Sequence, residues 1–94
     1  MTGTAWTFED DDAGYVAWIA THPEGFVVNT GRPPRSTYMI LHRASCNTID
    51  GDQTKGRSWT FAYMKACSDD RLTVERWCQD QGGGAPSPCG RCHP

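Results

Sequence analysis

Two short cysteine and histidine motifs, far apart in the chain, have the residue types of a metal site. The first is the H-x-x-x-C pair His42 and Cys46, and the second is the C-x-x-C pair Cys89 and Cys92. A C-x-x-C turn lets two thiolates converge on one ion at about 2.3 Å each. Residues i and i+4 share a face if the chain turns helically after His42. Together the motifs predict a closed Cys3His site for a structural Zn²⁺ ion.

Two other interpretations of these cysteines stay open. A C-x-x-C pair also occurs as a redox or disulfide pair, although such pairs begin a helix and this one follows GGGAPSP. In the other interpretation, the cysteines are unrelated to one another in function. Cys67 and Cys78 lie on apolar faces of predicted elements, which favours the core. Cys67 is the substitute ligand if His42 does not bind, and His93 adjoins the second motif.

The length and composition indicate one thin-cored domain. The chain has 94 residues and a mass of 10.4 kDa, which predicts a single domain over 1–94 with a flexible acidic segment over residues 1–12. The hydrophobic content of 37% and the aromatic content of 11% exclude a disordered acidic chain. Because so small a core buries little apolar surface, a bound metal would supply stability that the core lacks.

The sequence carries no pattern that indicates a membrane or export. It has no run of about 20 apolar residues, which excludes a membrane-spanning segment. No membrane partner is predicted. The opening MTGTAWTFEDDD has neither a basic nor an apolar leader region. Five cysteines, an odd number, together with that opening predict a reducing, cytoplasmic compartment.

Hydrophobic periodicity and turn residues predict two helices and three strands. The predicted elements are a helix over Ala13–Thr21, strands over Phe26–Thr30, Thr37–His42 and Trp59–Cys67, and a helix over Asp69–Gln81 capped by Ser68. The segment Gly31–Arg35 (GRPPR) is predicted as a loop that ends the first strand. The order indicates an α+β fold, a small antiparallel sheet with two helices on one face and a structural zinc knuckle.

The segments TYMILHRASCNTI and GGGAPSPCGRCHP resemble the metal-binding module of the Ada type and its small relatives appended to bacterial nucleases. The resemblance covers roughly residues 38–94 and implies a zinc-stabilised domain in DNA restriction or repair, with a nuclease domain or another protein as a partner. In Ada itself the site is all cysteine, and one thiolate accepts a methyl group from a DNA phosphotriester. Here His42 occupies the first ligand position, which argues against self-methylation. The gap between Cys46 and Cys89 is also longer than in Ada.

The net charge of −2 hides a basic centre. Between Gly25 and Ser68 lie six basic and two acidic residues, a local net charge of +4. Such a cluster can neutralise phosphates, while Arg and Asn can contact base edges and aromatic rings can stack on bases. The candidate DNA-binding residues are Asn29, Arg32, Arg35, Arg43, Lys55, Arg57 and Trp59.

The combined pattern predicts a zinc-stabilised DNA-binding module that reads a modified base or a single-stranded segment. No Ser-His-Asp order, P-loop or H-E-x-x-H motif is present, so the prediction is that the protein is not an enzyme. The alternative is a zinc-stabilised protein–protein interaction domain that does not bind nucleic acid. The two alternatives differ in whether binding to DNA, and its weakening by salt, is observed.

Overall fold

In the computed structural model, which describes residues 5–46, 49 and 60–94, the described residues form two helices and five strands. The elements are β1 (Trp6–Phe8), α1 (Asp12–Thr21), β2 (Phe26–Arg35), β3 (Tyr38–Arg43), β4 (Tyr63–Ser68), α2 (Arg71–Gly82) and β5 (Ser87–Pro88). The strands form one sheet in the order β1-β4-β2-β3-β5. This confirms the predicted α+β class. The sheet is mixed, however, because β5 runs parallel to β3.

The start of the chain contains a strand and a helix cap where the sequence predicts a flexible segment. β1 pairs antiparallel with β4, with Trp6 opposite Cys67. Asp11 then caps α1, since its carboxylate accepts a hydrogen bond of 2.9 Å from the backbone N–H of Gly14. Residues 6–8 are therefore paired in the sheet and Asp11 caps α1, within the segment that the sequence predicts as flexible. Residues 1–4 lie outside the described residues.

β2 continues through the segment that the sequence predicts as a loop. Pro33 and Pro34 have no backbone N–H and cannot complete a regular ladder. The strand accommodates them by a register shift between Thr30 and Arg35, after which Arg35 pairs with Tyr38. The backbone N–H of Arg35 lies 3.4 Å from the hydroxyl of Thr30, which it reaches across this irregularity. The prediction of a break at Gly31–Arg35 is therefore wrong, and the segment is an irregular strand end.

The two helices cover opposite faces of the sheet, rather than one face as predicted. Because neighbouring residues of a strand point to opposite faces, Val27 and Val28 belong to different clusters. The cluster on the α1 side contains Tyr15, Trp18, Ile19, Val27, Ala44, Cys46, Ile49 and Cys67. The cluster on the α2 side contains Val28, Met39, Leu41, Ala66, Val74 and Cys78. Cys67 and Cys78 are fully buried, which confirms their predicted place in the core.

The second half of the chain follows the predicted elements with shifted boundaries. β4 begins at Tyr63 and not at Trp59, which lies outside the described residues. The cap of α2 is Asp70, whose side chain accepts a hydrogen bond of 3.3 Å from the N–H of Leu72. Ser68 does not cap this helix as predicted, because it is the last residue of β4; its hydroxyl accepts the N–H of Asp70. Among the described helices, neither has the length and apolar character needed to cross a membrane.

Candidate metal centre

The end of β3 and the turn that follows it position the first two candidate ligands. His42 is paired with Val27, so its side chain lies on the α1 side of the sheet. After Arg43 the chain turns back, and the N–H of Cys46 donates to the carbonyl of Arg43 at 2.9 Å. This turn brings Cys46 back towards His42, as the H-x-x-x-C spacing predicts. The exposed fractions of His42 and Cys46 are 6% and 3%, so both candidate ligands are buried.

The short strand β5 positions the second pair of candidate ligands. Its parallel pairing sets Pro88 opposite Leu41. The N–H of Cys89 then donates to the carbonyl of Leu41 at 2.8 Å, which places Cys89 beside the end of β3. The turn after it closes where the N–H of His93 donates to the carbonyl of Cys89 at 3.1 Å. This turn, residues 89–93, is called the C-terminal knuckle. It is attached to the sheet by backbone hydrogen bonds.

The structure brings all four predicted ligands together. One ligand atom from each of His42, Cys46, Cys89 and Cys92 lies within 4.8 Å of the other three. The two buried ligands come from β3 and its turn, and the two half-buried ones come from the knuckle. This arrangement is compatible with the binding of a single metal ion.

Backbone N–H groups point at the two sulfur atoms of the knuckle. The N–H of Arg91 donates to the Sγ of Cys89, and the N–H of Arg43 donates to the Sγ of Cys92, each at 3.3 Å. Such bonds favour the thiolate over the thiol, because the thiolate is the stronger acceptor. Hydrogen bonds of this kind hold metal ligands in the orientation and charge state that binding requires.

The side chain of Arg43 fastens the knuckle to the sheet. Its Nε donates to the carbonyl of Cys92 and its Nη2 donates to the carbonyl of His93, both at 3.1 Å. Arg43 is a predicted DNA-binding residue, yet here its guanidinium is bound to the backbone next to a candidate metal ligand. This role was not predicted, since nothing in the spacing of Arg43 links it to the C-terminal segment.

Burial and neighbouring groups shift the pKa values of three of the four candidate ligands. Burial, assisted by the positive charge of Lys65, lowers the pKa of His42 to about 4 and so favours the neutral imidazole that binds metals. Burial raises the pKa of Cys92 to about 11, more than the N–H of Arg43 lowers it, and the thiol of Cys46 adds to the rise. Burial also opposes ionisation of Cys89, but hydrogen bonds from the N–H groups of Cys92 and Arg91 and from the side chains of Cys92 and Cys46 together lower its pKa.

Cys67, the substitute ligand if His42 does not bind, and His93, which adjoins the second motif, do not join the cluster. In the described part of the chain, the mutually close ligand atoms do not include those of Cys67 or His93. Burial raises the pKa of Cys67 well above that of an ordinary thiol, and it raises the pKa of Cys78 to about 11. Both cysteines are fully buried and lie outside the cluster, so they are core residues and not candidate ligands.

The structure uses some of the predicted DNA-binding residues for other contacts. The guanidinium of Arg32 pairs with Glu9 at 3.2 Å and with Asp10 at 3.0 Å. It also donates to the carbonyls of Thr60 and Phe61, which joins the segment after β1 to the segment before β4. These neighbours raise the pKa of Arg32, chiefly through the hydrogen bond with Asp10.

The remaining predicted DNA-binding residues fall into two groups. The side chain of Asn29 accepts a hydrogen bond of 2.8 Å from the ammonium of Lys65 and donates to the hydroxyl of Tyr38 at 3.3 Å. Arg35 is exposed near the end of β2. The other three, Lys55, Arg57 and Trp59, lie outside the described residues.

Comparisons with models of known families, with curated proteins and with solved structures found no match for this chain. They therefore do not bear on the resemblance to the Ada-type module, which stays a prediction. The candidate metal centre rests on its own geometry.

Proposed function

We propose that His42, Cys46, Cys89 and Cys92 hold one Zn²⁺ ion that stabilises the fold. The observation that carries the proposal is the mutual distance of at most 4.8 Å between their ligand atoms. In a tetrahedral zinc site with bonds of about 2.3 Å, sulfur ligands lie about 3.8 Å apart. Small side-chain adjustments are therefore enough to bring the four atoms around the ion.

The ligand types favour zinc, and their number favours a structural role. Three thiolates and one imidazole suit a borderline-soft ion with tetrahedral geometry far better than Mg²⁺ or Ca²⁺, which take oxygen ligands. Four protein ligands fill the tetrahedron and leave no position for a catalytic water. The centre then acts by joining the C-terminal knuckle to β3, and the protein functions as a binding module.

Metal analysis of the full chain tests the zinc proposal. We expect about one zinc per chain after purification, and unfolding when a strong chelator removes it, because formation of the site and folding are coupled. The variant Cys78→Ala, which removes a buried cysteine outside the cluster, keeps the zinc and serves as the matched control. A fully folded chain without metal, or a reversible Cys89–Cys92 disulfide that leaves the fold intact, would overturn the proposal.

We also propose that the module binds DNA. The support is the basic centre of the sequence and the exposed, cationic Arg35 on the sheet. The structure narrows the candidate set, because the guanidinium groups of Arg32 and Arg43 are engaged by groups of the protein itself. Phosphate contacts then rest on Arg35 and on the predicted residues Lys55 and Arg57.

A titration of DNA against the zinc-loaded chain at two salt concentrations tests this second proposal. The panel contains plain duplex, methylated, phosphorothioate and single-stranded DNA, since a reader of a DNA feature prefers one member. We expect binding that weakens steeply with salt, because phosphate contacts release counterions. Absence of binding to every member, at low salt and with zinc bound, would leave the protein-interaction alternative.

A further inference from the structure

Among the described residues, the cluster under α1 covers only one end of its face of the sheet. Val27 and Cys67 on this face pack against α1, but the residues nearer the other end of the same strands do not belong to that cluster. The register sets Asn29 opposite Ile40 and Lys65, and Gly31 opposite Tyr63. We call the surface formed by Asn29, Arg35, Tyr38, Ile40 and Tyr63 the tyrosine face.

Two exposed rings lie side by side on the tyrosine face. The centroids of Tyr38 and Tyr63 are 5.1 Å apart, and their planes are tilted by 39°. Their exposed fractions are 36% and 42%, so much of each ring contacts solvent. Stacking on such rings is available to any planar ligand that can reach the surface, including the face of a nucleobase.

A chain of hydrogen bonds connects the hydroxyl of Tyr38 to the interior of the domain. The ammonium of Lys65, whose exposed fraction is 3%, donates to the amide oxygen of Asn29. The amide nitrogen of Asn29 donates in turn to the hydroxyl of Tyr38. Asn29 therefore joins the hydroxyl of Tyr38 to a buried ammonium.

A cation lies on the same surface. A Cβ built on Gly31 would lie 2.9 Å from the guanidinium carbon of Arg35, so the Arg35 side chain covers Gly31 on the face that carries Tyr63. The residue is exposed, and among the described residues no carboxylate forms an ion pair with it. An exposed guanidinium on the same face as two rings suits a ligand that has both a planar group and a negative charge.

We infer that the tyrosine face binds single-stranded DNA, with a base stacked on Tyr38 and Tyr63 and a phosphate contacted by Arg35. The inference rests on the proposed DNA-binding function and names the surface and the form of DNA. In a duplex the faces of the bases are covered by their neighbours, and only a single strand can offer them to a ring. An apolar helix of a partner protein would instead cover the Arg35 guanidinium, and burying a charge without a partner is unfavourable.

Fluorescence anisotropy with a labelled (dT)12 oligonucleotide and the zinc-loaded full chain tests the rings. Tyr38→Thr and Tyr63→Thr keep a strand-forming residue but remove the ring. Each is expected to weaken binding by roughly 5- to 100-fold, the effect of losing one stacked base. Tyr38→Phe keeps the ring and is expected to retain binding. The matched control is Leu72→Thr on α2, whose exposed fraction of 46% is close to that of Tyr63.

The salt dependence of the same titration tests the cation. Loss of one phosphate contact lowers the slope of log K against log salt by about 0.7 for a single strand. We expect this change for Arg35→Gln and no change for Arg76→Gln, an exposed arginine on α2, the helix of the opposite face. Amide chemical shifts provide a measurement without mutation: residues 29–31, 38–40 and 63–65 are expected to shift on titration.

The possible failures separate the two proposals. If the duplex binds and the tyrosine variants have no effect, the tyrosine face is wrong as the site while DNA binding stands. If neither duplex nor single-stranded DNA binds, both proposals fall. If (rU)12 binds more than tenfold tighter than (dT)12, the assignment to DNA is overturned. The inference also fails if Leu72→Thr weakens binding as much as Tyr63→Thr does, because the loss is then not specific to the rings.

Discussion

The candidate metal centre and the tyrosine face lie on one side of the same sheet, but their polar groups differ in what they contact. In the metal centre the N–H groups of Arg43 and Arg91 point at sulfur atoms, and the guanidinium of Arg43 is bound to backbone carbonyls. On the tyrosine face the guanidinium of Arg35 and the rings of Tyr38 and Tyr63 remain exposed. One region directs its groups inward, and the other presents them to solvent.

This difference separates residues that hold the fold from residues that can meet a partner. Arg43 and Arg35 are both exposed arginines in the basic centre, and sequence alone gives them the same role. The contacts of Arg43 close the C-terminal knuckle, whereas those of Arg35 leave its charge accessible. A basic residue in a small domain therefore contributes to binding only if the fold has not already engaged it.

The largest expected effect comes from removing a buried ligand of the metal centre. Cys46→Ser replaces a thiolate, whose exposed fraction is 3%, with a hydroxyl that binds zinc poorly. We expect loss of the zinc and a fall in the free energy of unfolding of more than about 3 kcal/mol, because metal binding and folding are coupled. Zinc stoichiometry and thermal unfolding of the variant measure both effects.

Cys67→Ala is the control that sharpens this comparison. Cys67 is fully buried in the same cluster as Cys46 but is not among the close ligand atoms. We expect one zinc per chain and a loss of about 1 kcal/mol in the free energy of unfolding, typical of a small change in a packed core. Loss of zinc from Cys67→Ala would contradict the assigned ligand set.

The next effect concerns Lys65, which links the two regions. Its ammonium donates to Asn29 behind the tyrosine face, and its charge helps to lower the pKa of His42. Burial lowers the pKa of Lys65 to about 8, against smaller opposing effects from Cys67 and Asp12. Between that value and the ordinary 10.5 the unfolded chain binds more protons than the folded one. The free energy of unfolding therefore rises with pH across this window.

Comparison of the wild type with Lys65→Met isolates that contribution. Other groups also make the free energy of unfolding depend on pH in this range, among them Cys67, whose pKa is raised in the folded chain. These groups are present in both proteins. The groups facing Lys65 are Asp12 and Tyr15 from α1, Asn29 from β2, and His42 and Cys67 from the sheet. We expect the wild type to gain about 2 kcal/mol relative to the variant from pH 7.5 to 9.5 in denaturant unfolding. A difference that stays constant with pH would contradict the burial of a charged lysine.

A smaller effect is expected when the knuckle loses its side-chain contacts. Arg43→Gln removes two hydrogen bonds to the carbonyls of Cys92 and His93. Both bonds are exposed to solvent. We expect a loss of about 1 kcal/mol in the free energy of unfolding, faster zinc release to a chelator, and the same stoichiometry of one zinc. Arg91→Gln, at an exposed residue of the same knuckle, is the matched control.

The same variant can break the comparison between the two arginines. If Arg43 holds the knuckle, Arg43→Gln leaves the salt slope of DNA binding unchanged, whereas Arg35→Gln lowers it. A lowered slope for Arg43→Gln with unchanged zinc release would assign Arg43 to the binding surface. Arg43 would then be a phosphate contact, as the sequence predicts.

The candidate metal centre and the tyrosine face also differ in how far the sequence predicts them. The candidate metal ligands could be predicted because their types and spacings are local properties of two short motifs, and the structure brings all four together. The two helices and the central strands could be predicted because their apolar residues have a clear period. The strand β5 could not, since two residues of Pro and Ser become a strand only through their parallel pairing with Ile40 and Leu41.

The tyrosine face depends on information that the sequence does not contain locally. The alternation of Tyr63 and Lys65 along one strand indicates that they share a face, but not which face it is. Only the register across β2, β3 and β4 places Tyr38, Asn29 and Tyr63 beside one another. The covering of the opposite face by α2, rather than of this one, decides that the rings stay exposed.

The smallest effect is expected from the hydroxyl of Tyr38. Tyr38→Phe removes its hydrogen bond of 3.3 Å with Asn29 at a position that is 36% exposed, so water can satisfy the freed amide. We expect a loss of only about 0.5 kcal/mol in the free energy of unfolding, measured in urea. Affinity for (dT)12 is expected to change less than twofold, because the ring remains. A loss comparable to that of Tyr38→Thr would show that the hydroxyl, and not the ring, contacts the ligand, and the tyrosine face would then bind by hydrogen bonding instead of stacking.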